Sequence, residues 1–300
     1  MSAGATGKSA EQEQTKNTMP ELPEVETIRA GLAGHICGAR ISGVEVRRRD
    51  LRQPVPGNLE SEMKGKRILA VTRRAKYLLL HLEGGNVCIL HLGMSGRLIL
   101  RAQGAYPPQK HDHVLLTLED GREIIFNDAR RFGLLLLTRE EELLVHPLLR
   151  CLGPEPFSPA FSGDYLAQKL RERKGAIKPV LMDQALVVGV GNIYACEALF
   201  RAQLHPATPA SQCAQKAKQL VNAIRDVLQE AIASGGSTLR DYAKASGESG
   251  YFQHKFRVYA REKASCVACH TPIARMVQGG RSTFFCPHCQ AANPSPRRKG

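Results

Sequence analysis

The sequence predicts an α+β protein built from several structural units, and three observations carry that prediction. Strand-like segments dominate residues 40–140, helical periodicity dominates residues 163–234, and four cysteines cluster between residues 266 and 289. A run of strands followed by a run of helices is typical of α+β proteins or of separate domains. A chain of 300 residues is long enough for two or three domains with cores of their own.

The first predicted element is a helix that begins near Pro23. Residues 1–18 before it are small and polar, so we expect them to be disordered. Proline and the early glutamates suit the first turn of a helix and its positive end, and Gly34 is a plausible stop. The apolar residues that share one face of this helix are Leu22, Val25, Ile28 and Leu32.

The segment 40–140 predicts an antiparallel sandwich or barrel. The stretches RRAKYLLLHL, NVCILHLGMSGRLIL and HVLLTLEDGREIIF are rich in apolar and β-branched residues. Asp120–Gly121 is a strong hairpin signal. Three prolines in LGPEPFSP, residues 152–159, then predict a linker to the next domain.

Residues 163–234 predict helices that are interrupted by VVGVGNIYA, residues 187–195. The longest helical period, QKAKQLVNAIRDVLQEAIAS, ends at Gly235–Gly236. Residues 250–290 predict a third unit, and the tail NPSPRRKG is expected to be disordered.

The strongest local motif is a pair of CxxC knuckles separated by sixteen residues: Cys266, Cys269, Cys286 and Cys289. Four thiolates at this spacing are typical of a structural zinc site. Such a short polar unit cannot bury enough core to fold alone, so zinc binding would supply its folding energy. His270 and His288 could compete as ligands, but with four cysteines present we expect them on the surface.

Charge and cysteine distribution limit the class of protein. Lys and Arg outnumber Asp and Glu by 42 to 28, which favours a polyanionic partner. An acidic membrane is the alternative, but we find no basic amphipathic helix with a bulky apolar face, and no apolar run approaches the roughly 18 residues of a membrane span. No secretory signal is visible, so we expect a reducing, cytoplasmic location. The scattered cysteines are then interpreted as core residues: Cys37, Cys88, Cys151, Cys196 and Cys213.

Two further motifs each allow two interpretations, and a third is a weak match to a phosphate-binding loop. In NDARRFG, residues 127–133, the arginines and Phe132 could bind nucleic acid and wedge between bases, or Phe132 could be buried at a strand end. In HLGMSG, residues 91–96, Met94 could be exposed on a loop or lie in the core. In GVGNIYA, residues 189–195, backbone amides around Asn192 could meet a phosphate, but the lysine of a P-loop is missing.

The stretch MPELPEVE, residues 19–26, carries a possible nucleophile. Loss of Met19 would leave Pro20 as a secondary amine, and amino termini titrate near ~8 against ~10.4 for lysine. Such an amine can attack a sugar carbon and form a Schiff base, with Glu21 as the acid–base partner. The alternative is a proline at a helix start with glutamates that match the helix dipole.

Together these motifs resemble those of the bacterial formamidopyrimidine-DNA glycosylases, also called 8-oxoguanine-DNA glycosylases. The resemblance runs from Pro20 to about Gln290 and rests on PELPEVET, RRAKYLLL, HLGMSG, KHDHV, RRFG, LGPEP, LVVGVGNIYA and the four-cysteine finger, in the order of the family. It implies an N-terminal helix on a β-sandwich, a helix-two-turns-helix domain and a C-terminal zinc hairpin. Endonuclease VIII-like relatives commonly open with Pro-Glu-Gly-Pro, so Leu22 favours the purine branch.

The resemblance implies base-excision repair of oxidised purines by a combined glycosylase and lyase. Pro20 would attack C1′ of the damaged nucleotide, Glu21 would protonate the sugar ring oxygen, and β,δ-elimination would then cut the strand. Lys76 would process the damaged base and contact the backbone, and Glu24 would line the lesion pocket.

Other positions match residues that bind DNA. The resemblance implies that Met94, Arg130 and Phe132 fill the gap left by the flipped nucleotide. Arg240 would lie on the segment 234–243 that closes over the flipped base. The phosphate-binding positions are His91, Asn192, Tyr259 and Arg281, of which we place Arg281 with the catalytic set.

The expected partners are duplex DNA with oxidised bases or abasic sites and one structural zinc ion, and we expect a nucleoid-associated monomer. An internal proline has no usable lone pair, so we expect residues 1–19 to be absent from the active protein, through translation from Met19 or cleavage. The domains would span residues 20–150, 151–248 and 249–290, with a tail at 291–300. The competing hypotheses are a non-catalytic DNA-damage binder and a zinc-finger regulator, and the latter leaves the first 150 residues unexplained.

Overall fold

The structure is a computed structural model that describes residues 19–102, 104, 107–235 and 256–292. Within these ranges the chain forms two compact units, one of residues up to 151 together with 234–235, and one of residues 152–233 together with 256–292. The expectations for residues 1–18, for Arg240 and for residues 293–300 lie outside the described residues. Among the described helices, none has the length and apolar character needed to cross a membrane.

The first unit is a helix packed on a sandwich of two antiparallel four-stranded sheets. Helix α1 spans Leu22–Ile36, and a short helix α2 spans Leu59–Met63. The strands are β1 (Ile41–Val46), β2 (Ile68–Arg74), β3 (Tyr77–Leu82), β4 (Asn86–His91), β5 (Gly96–Ala102), β6 (Asp112–Leu118), β7 (Arg122–Asp128) and β8 (Leu134–Arg139). One sheet has the order β1-β6-β7-β5 and the other β2-β3-β4-β8. The predicted sandwich and its N-terminal helix are therefore confirmed.

Helix α1 continues past the predicted stop at Gly34. It ends at Ile36, and the chain turns at Gly38, which has a φ of +86°. A glycine inside a helix costs about 1 kcal/mol. Full burial of an isoleucine gains about 1.5–3 kcal/mol, so the burial of Ile36 outweighs that cost. The predicted apolar face is buried together with Ile36: Leu22, Val25, Ile28 and Leu32.

Two loops of the sandwich connect the sheets side by side. The Met94 loop, residues 92–95, leads from β4 into β5, and the Phe132 loop, residues 129–133, leads from β7 into β8. The residue before the Met94 loop, His91, pairs with the residue after the Phe132 loop, Leu134. The residue after the Met94 loop, Gly96, pairs with the residue before the Phe132 loop, Asp128. The strand pairing therefore places the two loops next to each other.

The second unit contains the predicted helices and the zinc hairpin. Its elements are α3 (Gly163–Arg171), α4 (Ile177–Leu181), α5 (Asn192–Arg201), a 3-10 helix (Ala210–Lys216), α6 (Ala217–Ala233), β9 (Ala274–Gln278) and β10 (Arg281–Phe285). The predicted interruption is shorter than expected, since α5 already begins at Asn192. Residues 193–200 are all buried, and this burial supports the helical conformation.

The proline-rich stretch 152–159 is packed against the helical unit rather than being a free linker. The amide of Gly153 donates to the carbonyl of Gln184, and a Cβ at Gly153 would lie 2.5 Å from the carbonyl oxygen of Ala185. The guanidinium of Arg225 donates to the carbonyls of Pro156 and Ser158. These contacts fix the path of the chain where the second unit begins.

The prediction that the scattered cysteines lie in the core is correct for Cys88, Cys196 and Cys213, which are buried. It is wrong for Cys37 and Cys151, which are exposed. Cys37 follows the last residue of α1, and Cys151 is the last residue before the chain enters the second unit, so both lie where the chain leaves a packed element.

Candidate functional site

The start of helix α1 brings Pro20, Glu21 and Glu24 together. Pro20 is half-buried, while Glu21 and Glu24 are 3% and 4% exposed. Glu21 is the N-cap and forms a capping box with Glu24, whose Oε2 accepts the amide hydrogen of Glu21 at 2.9 Å. The two acidic side chains lie at the positive end of the helix dipole, so two carboxyl groups are held within a few residues of Pro20.

Lys76 lies in the tight turn between β2 and β3, which the structure fastens to helix α1. The turn is formed by Ala75 and Lys76, and Ala75 has a left-handed φ of +55°. Arg73 donates through Nε to Glu26 of α1 at 2.9 Å and through Nη1 to the carbonyl of Ala75 at 2.8 Å. The Arg73 side chain, 11% exposed, therefore joins the helix that follows Pro20 to the turn that carries Lys76.

His91 is a buried, neutral hydrogen-bond donor at the end of β4. Its Nδ1 accepts the amide hydrogen of Gly93 at 2.9 Å, which leaves the proton of the neutral ring on Nε2. Burial, together with the positive charges of Arg52 and Lys76, lowers the pKa of His91 to about 4. The ring lies 5.0 Å from that of Tyr77. His91 can therefore donate a hydrogen bond to an anionic ligand while it remains uncharged near neutral pH.

Phe132 and Arg130 form an exposed stacked pair on the Phe132 loop. Phe132 is 46% exposed, and the Cζ atom of Arg130 lies 4.8 Å above its ring centre. This position excludes the alternative in which Phe132 is buried at a strand end. Met94 is half-buried, so it is neither fully exposed on its loop nor part of the core.

In the second unit, Asn192 connects the start of helix α5 to the zinc hairpin. Its Nδ2 donates to the carbonyl of Ser282 at 3.0 Å, next to the exposed Arg281. The buried Lys178 donates through Nζ to Oδ1 of Asn192 at 2.5 Å and to Oγ1 of Thr283 at 2.8 Å. These contacts fix two of the predicted phosphate-binding residues on one framework.

Tyr259 is held in place by a buried glutamate. Its ring packs 5.6 Å from that of Phe256 and 5.2 Å from that of Phe284. The carboxylate of Glu197, 1% exposed, accepts the amide hydrogens of Arg257, Val258 and Tyr259 at 2.8–3.1 Å. Burial raises the pKa of Glu197, and these backbone hydrogen bonds oppose that shift.

The four predicted zinc ligands converge in the hairpin. All four sulfur atoms lie within 4.8 Å of one another, with 3.9 Å between Cys266 and Cys289 and 3.4 Å between Cys269 and Cys286. Tetrahedral zinc with bonds near 2.3 Å places its sulfur ligands about 3.8 Å apart, so the cluster fits one zinc ion. Gly279 and Gly280, with φ of +55° and +72°, form the turn between β9 and β10.

His270 and His288 are exposed and are not part of the cysteine cluster. The prediction of one structural zinc held by four cysteines is confirmed.

Three buried polar residues that organise these positions were not predicted from the sequence. They are Asp128 at the end of β7, Lys178 in α4 and Glu197 in α5. Lys178 and Glu197 each interrupt an otherwise apolar stretch of a helix, and that interruption was the available signal. Asp128 lies two residues before RRFG, and nothing in its local sequence distinguishes it from an exposed acidic residue at a strand end.

A β-sandwich with an N-terminal helix, a helical unit and a four-cysteine hairpin are the parts of the DNA glycosylases of the helix-two-turns-helix class. Models of three domains match in this order: the formamidopyrimidine-DNA glycosylase N-terminal domain over residues 19–135, its H2TH domain over 152–243, and the zinc finger found in FPG and IleRS over 266–292. The chain belongs to the formamidopyrimidine-DNA glycosylase family, whose members act in the repair of damaged bases.

Named relatives support this membership. Formamidopyrimidine-DNA glycosylases of Dinoroseobacter shibae and Azorhizobium caulinodans are each 49% identical to the chain, over 91% of its length and 100% of theirs. The structure of a Lactococcus lactis FPG mutant in complex with Fapy-dG containing DNA matches with a TM-score of 0.84 at 35% identity. The Lactococcus lactis Fpg complex with an abasic site containing DNA matches with a TM-score of 0.83 at 34% identity. Both matches cover 91% of this chain and 100% of the other.

Proposed function

We propose that this protein removes oxidised purines, 8-oxoguanine and formamidopyrimidines, from duplex DNA and then cuts the strand at the resulting abasic site. The observation that carries the proposal is the position of Pro20 beside the buried carboxyl groups of Glu21 and Glu24 at the first turn of α1. The relatives whose complexes contain Fapy-dG or an abasic site support the same substrate class.

Pro20 is the proposed nucleophile. As an amino terminus, its nitrogen carries a lone pair that attacks C1′ of the damaged nucleotide. The bond from C1′ to the base breaks, and the base leaves with the electron pair and takes up the proton that the proline nitrogen loses. Glu21 donates a proton to the ring oxygen O4′, so the sugar opens and an iminium forms between C1′ and the proline nitrogen. Loss of a proton from C2′ then expels the 3′ phosphate, and a second elimination expels the 5′ phosphate. Water finally hydrolyses the iminium and restores the free amine.

This chemistry requires that residues 1–19 be absent from the active protein. A proline nitrogen within the chain is an amide without a usable lone pair or a proton to lose. We therefore propose that the mature chain begins at Pro20. An intact-mass measurement of protein from its native source checks this, and a fully active chain that retains Met1 would contradict it.

The remaining residues are proposed to bind and process the lesion-containing DNA. Glu24 lines the lesion pocket, Lys76 contacts the damaged base and the backbone, and Arg240 lies on the segment that closes over the flipped base. The exposed stack of Arg130 on Phe132 suits the replacement of lost base stacking, with Met94 as the third member of that set. The proposed phosphate ligands are His91, Asn192, Tyr259 and Arg281, the last acting within the catalytic set.

The partner is proposed to be double-stranded DNA, bound by a monomer. The net charge of +14 supports this, because each phosphate that is neutralised releases condensed counterions. We place the working protein at the nucleoid, where this substrate is found.

Borohydride trapping on duplex DNA with 8-oxoguanine opposite cytosine tests the proposal. A chain that begins at Pro20 should give a covalent band, and Pro20→Gly or a chain with Met19 retained should not. On duplex DNA that carries an abasic site and so needs no base removal, Lys76→Ala is the matched control for an alternative amine and should keep the band. Sequencing of the trapped peptide should place the DNA on Pro20. A linkage to a lysine side chain would exclude the proposed nucleophile, and no band in any processed form would favour a non-catalytic binder.

A further inference from the structure

The backbones of the Met94 loop and the Phe132 loop touch without side chains between them. Gly93 has a φ of +63°, and a Cβ there would lie 2.4 Å from the carbonyl carbon of Phe132 and 2.5 Å from the amide nitrogen of Gly133. A Cβ at Gly133 would lie 2.6 Å from the ring of Phe126 and 2.8 Å from the carbonyl oxygen of His91. Glycine is therefore required on both sides of the contact, and a shift of one loop displaces the other.

The carboxylate of Asp128 holds both loops. Asp128 is fully buried, and its Oδ1 accepts hydrogen bonds from the hydroxyl of Ser95 and, at 3.2 Å, from the amide of Arg130. Its Oδ2 accepts the amide hydrogen of Gly133 at 2.7 Å. The Ser95 hydroxyl oxygen also accepts the amide hydrogen of Arg130 at 3.0 Å. The Asp128 carboxylate thus binds Ser95, which follows Met94, and it binds Arg130 and Gly133, which lie on either side of Phe132.

Strand β6 and the residue that precedes it by one position, His111, fix the backbone of Asp128. The ring of His113, 2% exposed, donates through Nε2 to the carbonyl of Asp128 at 2.7 Å, since a carbonyl oxygen can only accept. The amide of Asp128 donates to the carbonyl of His111 at 3.0 Å. The carboxylate therefore acts from a rigid support rather than from a mobile chain end.

We propose that Asp128 is a positioning residue that couples the two loops into one rigid element, so that Met94, Arg130 and Phe132 enter the DNA together. The proposal rests on the proposed function of these three side chains and adds the group that sets their relative positions. Asp128 itself is buried and acts only through the loops. Its contribution should therefore appear in the step that fills the gap and be absent from chemistry that needs no gap filled.

The test compares two substrates with the chain that begins at Pro20. The first is duplex DNA with 8-oxoguanine opposite cytosine and 2-aminopurine beside that cytosine, whose fluorescence rises when side chains disrupt stacking. The second is single-stranded DNA with an abasic site, which has no stack to replace. Single-turnover rates are measured on both, together with the unfolding temperature of each variant.

Asp128→Asn should lower the rate of the fluorescence step and the rate of excision from the duplex by about tenfold or more. The asparagine amide N–H would face an N–H or O–H group that now donates to the carboxylate, so one hydrogen bond is lost. The loss of one hydrogen bond corresponds to about a factor of ten. Cleavage of the single strand should change by less than about twofold. Ser95→Ala removes one of the ties and should show the same pattern with a smaller loss. Asp120→Asn, in the exposed β6–β7 turn, is the matched control and should change neither rate.

Equal losses on both substrates would show that Asp128 only stabilises the fold, and unchanged rates on both would show that it positions nothing; either result overturns the proposal. If Asp128→Asn does not fold, the same two rates measured on Ser95→Ala test the proposal. Met94→Ala and Phe132→Ala test the gap-filling role of these side chains separately from the coupling by Asp128. If they abolish the fluorescence step while Asp128→Asn retains it, only the coupling fails. If they retain it as well, the gap-filling role fails and the coupling with it.

Discussion

The amide of Glu21 donates a 2.9 Å hydrogen bond to the carboxylate of Glu24, across the first turn of helix α1. This bond joins the proposed general acid to a residue proposed to line the lesion pocket, and both side chains are buried. The geometry that starts the helix therefore also orients the groups around Pro20.

Glu24→Ala should destabilise the protein by about 1 kcal/mol, because it removes the acceptor of the Glu21 amide. It should also reduce the yield of the borohydride-trapped complex, since Glu21 loses its partner. Urea unfolding and trapping measure the two effects. Glu24→Gln is the matched control, because its side-chain oxygen still accepts the hydrogen bond, and it should keep stability near that of the wild type. A Gln variant as unstable as the Ala variant would contradict the capping role.

The buried His91 should make the protein sensitive to acid. Its pKa in the folded state, about 4, lies below the value of 6.5 for an exposed histidine. The folded state therefore binds fewer protons than the unfolded state between these values, so this stabilisation is present above pH 6.5 and is lost as the pH falls towards 4. One pKa unit corresponds to about 1.4 kcal/mol, so the loss is on the order of 3 kcal/mol.

Chemical unfolding at pH 7 and pH 4.5 measures this loss. His91→Asn is the control, because its side-chain oxygen can accept the Gly93 amide hydrogen but it does not titrate. The variant should lose clearly less stability than the wild type over this interval. Identical pH dependence of the two proteins would show that His91 does not carry the effect.

Elements whose signals are local were predictable from the sequence. The hairpins at Asp120–Gly121 and Gly279–Gly280 follow from residues that adopt left-handed turns between apolar strands. The zinc cluster follows from two CxxC spacings, because each knuckle fixes two ligands within one turn. The end of helix α1 was misjudged because the burial of Ile36 depends on the sheets that form around it.

The roles of buried polar residues were not predictable, because they depend on which distant segments meet. Asp128 can bind Ser95 only because β5 and β7 pair with Gly96 opposite Asp128. Glu197 binds amides sixty residues further along the chain. A sequence shows that such a residue is charged, but the partners that justify its burial appear only with the fold.

The zinc ion should be required for the hairpin to fold. Cys266→Ser removes one of four converging thiolates, so the protein should lose its bound zinc and most of its affinity for DNA. Metal analysis of the purified protein and a DNA-binding titration measure both. Cys151→Ser, which alters an exposed cysteine remote from the cluster in sequence, should retain zinc and affinity. Unchanged DNA binding by Cys266→Ser would contradict a role for the hairpin in the complex.

Glu197 should be the main support of the segment that carries Tyr259. Glu197→Ala leaves three amide hydrogens in a buried site without their acceptor, and this should cost about 3 kcal/mol or more, since each unsatisfied buried group costs about 1–3 kcal/mol. Glu197→Gln keeps one acceptor oxygen and should lose less than half as much stability. Urea unfolding measures these losses, and the salt dependence of DNA binding reports phosphate contacts. One outcome is that Glu197→Gln folds normally and yet shows a salt dependence of DNA binding that is weakened as much as that of Tyr259→Phe. That result would show that the position of Tyr259, which Glu197 sets, matters for phosphate binding. If the salt dependence stays at the wild-type value, Glu197 serves stability alone.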